Sequence, residues 1–213
     1  MIKTNRKYLK RFTTLPVLID LLRRKKIVLL SPEKWEDRND AEIMLEYKKR
    51  EKLEHLYAVC FSEGDETIHH WTAFSSGSSG CCIEFDRKLL LDEIDKIHGI
   101  RMGSVNYKKL KDVKSGAIEI SDIPFTKRWP YRCEEEYRII FESKNASAAS
   151  NGLFDIDISL KCIRKITISQ RMPEQVYQTI REYLRSEFKN PDQRINRSTL
   201  YENKIWISKF KKS

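Results

Sequence analysis

The sequence predicts an α+β fold, and three observations lead to it. Amphipathic helical segments are interspersed with short runs of β-branched and aromatic residues. Several of those runs follow one another with no helix between them, which argues against a doubly wound sheet. The run with the strongest β-character, Glu136-Tyr137-Arg138-Ile139-Ile140-Phe141, passes from charged residues straight into apolar ones. A mixed, largely antiparallel sheet with flanking helices is the implied architecture.

Each element has its own signal. Leu15, Leu18, Ile19 and Leu22 recur at helical spacing, with Pro16 in the first turn and Thr13 or Thr14 as cap, so a helix is expected over Leu15–Arg24. Residues 27–30 read as a strand, ended by Ser31-Pro32 and the turn-forming stretch 35–40, and a charged helix follows over 41–55. Residues 56–61 alternate as a strand with Tyr57, Val59 and Phe61 on one face, and the break Ser62-Glu63-Gly64-Asp65 ends it. Asp65 or Thr67 then caps a short helix carrying Ile68, His69, His70, Trp71 and Phe74; a serine and glycine loop over 75–80 leads to a strand over 81–85. Asp86 caps a helix running to Ile97. Residues 101–132 lack a period apart from a strand-like piece at 103–107. After a small-residue loop over 143–152, strands are expected at 153–158 and 163–169. A helix opened by Pro173 with Val176, Ile180, Leu184 and Phe188 on one face comes next, and a closing strand at 204–210.

The composition is that of one soluble globular domain over 1–213: 213 residues, 40% hydrophobic, with only 7 Gly and 6 Pro and no spacer-like segment. The apolar runs are too short to span a bilayer and the basic start lacks the apolar stretch of a secretory signal, so a cytoplasmic protein with no membrane partner is expected. Five cysteines, mostly within apolar runs, read as reduced thiols, and the absence of a C-x-x-C pair leaves no metal signature. The 41 Lys and Arg outnumber 31 Asp and Glu, a formal charge of +10, which would attract polyanions such as nucleic acid. That charge is spread over 3–10, 23–26, 48–52, 108–114 and 209–212, and no sequence-reading motif accompanies it.

Strand alternation puts Glu134, Glu136 and Arg138 on one face and Glu135, Tyr137 and Ile139 on the other. Such a cluster suits a polar cleft, and it equally suits a solvated edge strand whose charges pair in water. Asp37, Asn39 and Asp40 are residues a turn uses, their side chains bonding nearby backbone, and a surface role is expected for His69 and His70. Cys133 lacks a partner histidine in its segment, and its acidic neighbours oppose thiolate formation.

Over nearly its whole length the chain resembles the bacterial domain-of-unknown-function family numbered 2971. The matching residues are Asp37, Asn39 and Asp40 in the turn, the block Cys60-Phe61-Ser62, then Trp71, Gly80, Ile83, Phe85, Trp129, and finally Glu134, Glu136, Tyr137 and Arg138. Ala41 stands where the family has Pro, and Arg11-Phe12 where it has Lys-Tyr.

More distantly, the basic and aromatic start, the central aromatic and serine motif and the late strand-borne Glu resemble ADP-ribosyltransferases, in which a split β-sheet clasps NAD. That resemblance implies transfer of ADP-ribose from NAD to a macromolecular acceptor, in a toxin or phage-defence setting with a possible cognate regulator. By the same resemblance Glu136 would hold the nicotinamide ribose and stabilise oxocarbenium-like charge, and Glu134 would orient the acceptor. Arg11, Phe12, Trp71, Phe74, Ser75 or Ser76, and Arg138 would bind the cofactor. Two other readings stay open: a non-catalytic nucleic-acid-binding module, and a nuclease with Glu134, Glu136 and Asp40 around magnesium.

Overall fold

The computed structural model describes residues 6–75, 77–116, 118–148, 152–188 and 194–211. Ser76, parts of the loop over 143–152 and the outermost residues of the terminal basic clusters lie outside them. The chain opens with strand β1 (Tyr8–Thr14), which the sequence reading did not anticipate, and the leucine stripe then gives helix α1 (Leu15–Arg24) as expected. Then come β2 (Lys26–Leu30), α2 (Arg38–Arg50), β3 (His55–Ser62), α3 (Ile68–Phe74), β4 (Gly80–Asp86) and α4 (Arg87–Ile94). Next are β5 (Ile100–Ser104), β6 (Asn106–Lys108), α5 (Leu110–Ser115), β7 (Thr126–Arg128), β8 (Glu136–Ser143) and β9 (Leu153–Asp157). The chain closes with β10 (Ile163–Ile168), α6 (Glu174–Glu187), β11 (Arg194–Arg197) and α7 (Lys204–Ser208). This is the mixed, largely antiparallel α+β architecture expected.

The chain divides into two compact units. Unit 1 comprises Met1–Lys25, Asp65–Leu89 and Ser159–Ser213. Its strands run in the order β11-β10-β4-β1. β1 and β4 pair antiparallel from Tyr8↔Asp86 to Thr14↔Gly80, β4 pairs antiparallel with β10, and β10 lies parallel to β11. Leu9, Ile83, Phe85 and Ile166 are fully buried here, and α1 buries Leu15, Leu18, Leu21 and Leu22, each worth about 1.5–3 kcal/mol of apolar burial.

Unit 2 comprises Lys26–Gly64 and Leu90–Ile158. β8 is paired antiparallel on both edges, with β3 from His55↔Ser143 to Ser62↔Glu136 and with β5 from Ile100↔Phe141 to Ser104↔Tyr137. It is therefore an interior strand, and the solvated-edge reading fails; every residue from Glu136 to Phe141 is buried. β2 joins β3 at Leu30↔Ala58 and pairs with β9, while β6 and β7 form a separate parallel pair. Met44, Tyr47, Leu56, Ala58, Ile123 and Ile140 make one apolar cluster, with Trp35 and Phe125 packed on it.

Several expectations change. Helix α4 stops at Ile94, short of Ile97, and the strand-like piece at 103–107 falls across the end of β5 and the start of β6. Helix α2 starts at Arg38 rather than 41 because Asp37 Oδ1 accepts from the Asn39 and Asp40 amides at 3.1 and 3.4 Å, and it ends at Arg50, with Lys52 in the left-handed region at φ 54°. The closing strand is instead the helix α7: the Asn203 side chain accepts from the Trp206 amide at 3.0 Å and starts a turn that alternation of Ile205, Trp206 and Ile207 had disguised. On α6 the buried residues are Tyr177 and Leu184, seven apart, while Val176 is 47% exposed.

Candidate functional site

The polar cluster of unit 2 is built where β8 begins. Trp129–Glu134 form a 3-10 turn, Glu135 takes a left-handed conformation at φ 42°, and only then does the strand start at Glu136. Glu134 and Glu136 thus turn to the same interior by a kink, not by strand alternation. Register sets Glu136 opposite Ser62 and Arg138 opposite Cys60 on β3. Gly64 lacks a side chain where a Cβ would lie 3.0 Å from the Glu135 carboxylate, so the neighbouring loop can close over this kink.

Arg138 is fully buried, and its guanidinium is spent inside the unit. Nε donates to Glu136 Oε1 at 2.7 Å, Nη2 to Asp40 Oδ2 at 2.7 Å, and Nη1 to Asp40 Oδ1 at 3.2 Å and the Pro124 carbonyl at 2.8 Å. The indole of Trp35 lies 5.2 Å below it. Lys127 from β7 forms the second centre. Its Nζ donates to Glu134 Oε2 at 2.8 Å and Glu136 Oε2 at 3.3 Å, and stands 3.6 Å from Asp40 and 3.9 Å from Asp37. The Tyr131 ring lies 4.8 Å from the ammonium, and the Glu136 amide donates to the Tyr107 hydroxyl at 2.8 Å.

Three buried carboxyl groups therefore face two buried cations, and the cations decide which carboxyl keeps its charge. Burial pushes Glu136 up, but Arg138 and Lys127, with hydrogen bonds from Cys60 and Arg138, outweigh it and bring the group down to about 2. Asp40 moves the other way. Its burial outweighs the pull of Arg138 and Lys127, Glu136 repels its charge, and the carboxyl rises above the ordinary aspartate value. Lys127 is raised despite burial because Glu136, Asp40 and Glu134 surround it. The result is a Glu136 that keeps its charge well below the ordinary carboxylate range beside an Asp40 that takes up a proton more readily.

The magnesium reading loses its site to these cations. Glu134, Glu136 and Asp40 do converge, but Lys127 Nζ stands between them, and among the described residues no group of three His, Cys, Asp or Glu is arranged to hold a metal ion.

The other expected site residues belong to unit 1. Phe12 on β1 stacks on His70 at 4.7 Å with the rings 5° apart, meets Trp71 edge-on at 5.6 Å, and shares an apolar cluster with Trp71 and Cys82. His70 is buried, against the surface role expected, with Nδ1 2.9 Å from the Thr67 hydroxyl. Trp71 is 4% exposed and its Nε1 donates to Glu66 at 2.7 Å, so it is a core residue with a satisfied polar end. Phe74, 43% exposed, is an accessible ring of α3, as is His69. The buried Ser75 hydroxyl donates to the Trp71 carbonyl at 2.6 Å, and a Cβ on Gly80 would meet Ser75 at 2.8 Å, so that loop is tightly packed there. Arg11 pairs in register with Ile83 and is partly exposed. Cys81, Cys82 and Cys162 are buried; Cys60 and Cys133 are exposed.

Sequence reasoning missed Lys127 altogether, and it read Asp40 first as a turn residue, setting it beside Glu134 and Glu136 only in the nuclease alternative. A single lysine in an aperiodic stretch carries no local signal. Asp40, 98 residues from Arg138, follows a capping Asp37 and so looks like more of the same turn.

No family model matches the chain, so the membership expected from the sequence is not borne out. No curated protein matches it either. The solved structures to which the chain is similar include two of one protein. One is DarT of Thermus sp. 2.9 in complex with NAD+, 9% identical, with a TM-score of 0.47 over 94% of this chain and 99% of that one. The other is the same protein in complex with ADP-ribosylated ssDNA, 10% identical, with a TM-score of 0.47 over 94% of this chain and 98% of that one.

Proposed function

We propose that the chain is an ADP-ribosyltransferase-like enzyme that cleaves NAD and transfers ADP-ribose to a nucleic-acid acceptor. The observation that carries this reading is the ionised carboxylate of Glu136, fixed on the first residue of an interior strand by Arg138 and Lys127. In the reaction the bond between the ribose anomeric carbon and the nicotinamide nitrogen breaks, and its electron pair leaves with nicotinamide. The acceptor's oxygen or nitrogen then forms a bond to that carbon and loses a proton. Positive charge grows on the ribose between these events, and a carboxylate that stays charged above pH 2 offsets it without reorganising. Glu134, held by the same ammonium, orients the acceptor or takes its proton. Arg138 touches Glu136 and Asp40 and serves as a positioning residue. Of the residues expected to bind the cofactor, Phe12, Trp71 and Ser75 are buried and internally packed, and the proposal keeps only the partly exposed Arg11 and the exposed Phe74 in that role.

Labelled NAD and a pool of single-stranded and duplex oligonucleotides test it. The wild type transfers label and releases nicotinamide, Glu136→Gln loses about a hundredfold to a thousandfold of the rate while keeping its fold, and Arg11→Ala weakens NAD affinity. Transfer by Glu136→Gln at the wild-type rate removes the carboxylate from the mechanism. Absence of both NAD binding and transfer in the wild type leaves the buried cluster as structural.

A further inference from the structure

We infer that unit 1 carries a binding site for single-stranded nucleic acid, with a backbone phosphate in a basic cavity between β10, β11 and α6 and an adjoining base stacked on Trp206. The cavity, of about 460 Å³, takes Lys165 and Thr167 from one face of β10 and Tyr177 and Arg181 from one face of α6. Arg197 and Ser198 close it at the end of β11. The site is made of donors. Among the described residues the Lys165 and Arg181 side chains form no ion pair or hydrogen bond, and the Nε atoms of Arg181 and Arg197 are buried with no partner.

Arg197 is the fixed part of the cavity. Its Nη1 pairs with Glu174, its Nη2 donates to the Gln170 carbonyl at 2.8 Å and to the Met172 carbonyl, and the Tyr177 ring lies 5.7 Å away. The acidic residue at the cavity, Glu66, is already engaged: its Oε1 accepts from Trp71 Nε1 and from the Ser198 hydroxyl. The Lys165 ammonium, the Arg181 guanidinium with its orphan Nε–H, the Thr167 hydroxyl and the orphan Arg197 Nε–H remain for an anionic ligand rich in acceptors, and a phosphodiester supplies that. A buried donor left unpaired is unfavourable in the free protein, so a ligand that satisfies it gains affinity.

The second cavity, of about 490 Å³, shares Glu66 and Thr199 with the first and is lined by Tyr201 and Trp206. Gln170 holds its rim, accepting from the Tyr201 and Glu202 amides at 2.9 and 3.0 Å and donating to the Glu202 carbonyl at 3.0 Å. Trp206 is 68% exposed and Phe210, 5.2 Å from it, is 71% exposed. A basic cavity beside an open indole is the pairing that single strands use, because their unpaired bases can splay onto an aromatic face. A duplex keeps its bases stacked inside and has no use for the indole, and an acidic peptide matches the charge but not the ring.

This site does not depend on the transfer reaction, so it is tested without NAD. The probe is a fluorescent single-stranded DNA of about twelve nucleotides, within the length such surfaces cover, followed by anisotropy. Saturable binding is expected, with Arg181→Glu weakening it by about tenfold or more and lowering the salt slope by about 0.7 for each phosphate that is no longer neutralised. Trp206→Ala, at an exposed position, weakens it by roughly tenfold because the base has no ring to stack on. Arg23→Glu on the exposed end of α1 controls for net charge, and melting temperature controls for folding. The inference is overturned if the wild type does not bind, if Arg23→Glu costs as much as Arg181→Glu, or if Trp206→Ala binds like wild type. Displacement of the strand by inorganic phosphate or by polyglutamate as readily as by unlabelled strand also overturns it.

Discussion

Replacing Arg138 by Met tests the electrostatic account of the site most directly. The side chain is 0% exposed, and its guanidinium donates to both oxygens of Asp40, to Glu136 and to the Pro124 carbonyl. Methionine of similar length fills the volume, so packing against Trp35 survives while the charge is removed. Asp40 is left buried with only Lys127, 3.6 Å away, as a cation, and the Pro124 carbonyl loses its donor. Breaking a buried pair by removing one partner costs about 3–5 kcal/mol, because the remaining charge stays desolvated. With a urea slope of about 2 kcal/mol per molar, the unfolding midpoint read by circular dichroism falls by roughly 1.5–2.5 M at unchanged slope. Asp40→Leu in the same background recovers part of that loss, since the orphaned carboxylate goes with it. Arg138→Lys recovers little, because an ammonium cannot bridge Glu136 and Asp40 as the planar fork does. A loss below about 1 kcal/mol for Arg138→Met, the size of a solvated surface pair, would refute the reasoning.

Acid acts through Glu136, whose carboxyl lies at about 2 in the fold against an ordinary 4.5, so its stabilisation is complete above pH 4.5 and is lost as pH falls through 2. That difference corresponds to about 3 kcal/mol, and Asp40, raised above its ordinary 3.8, offsets part of it because the folded form binds its proton more readily; urea midpoints from about pH 6 to 2.5 should fall for wild type and flatten for Glu136→Gln. Phe12→Ala removes a buried ring stacked on His70 and edge-on to Trp71, and costs about 3 kcal/mol or more, read as a lower melting temperature; a shift near zero would mean that ring is solvated. Gly99→Ala is strained twice, by φ 86° and by a Cβ 2.6 Å from the Glu142 carbonyl oxygen, and should cost at least about 1–3 kcal/mol; a neutral result would contradict the turn before β5.

Local physics accounts for what the sequence alone determined. The α1 leucines, the Asp86 carboxylate that accepts from the Leu89 amide at 3.1 Å, and the β-branched and aromatic runs of β3 and β4 all act within a few residues, so spacing, composition and capping reveal them. The shared face of Glu136 and Arg138 was legible for the same reason, being two residues of one strand. Tertiary structure alone decided that β8 is an interior strand, that Lys127 enters its polar cluster, and that Asp40 leaves turn duty to face Arg138 across 98 residues. Residues 204–208 coil for a local reason that the spacing of Ile205 and Ile207 hid, since the Asn203 side chain caps them and none of them is buried. Burial and the meeting of charges depend on which distant segments share a volume, and no short-range pattern encodes that. The same fact sets the opposite behaviour of two carboxyls around one guanidinium: Glu136 lies between two cations and stays charged, while for Asp40 the loss of solvent wins.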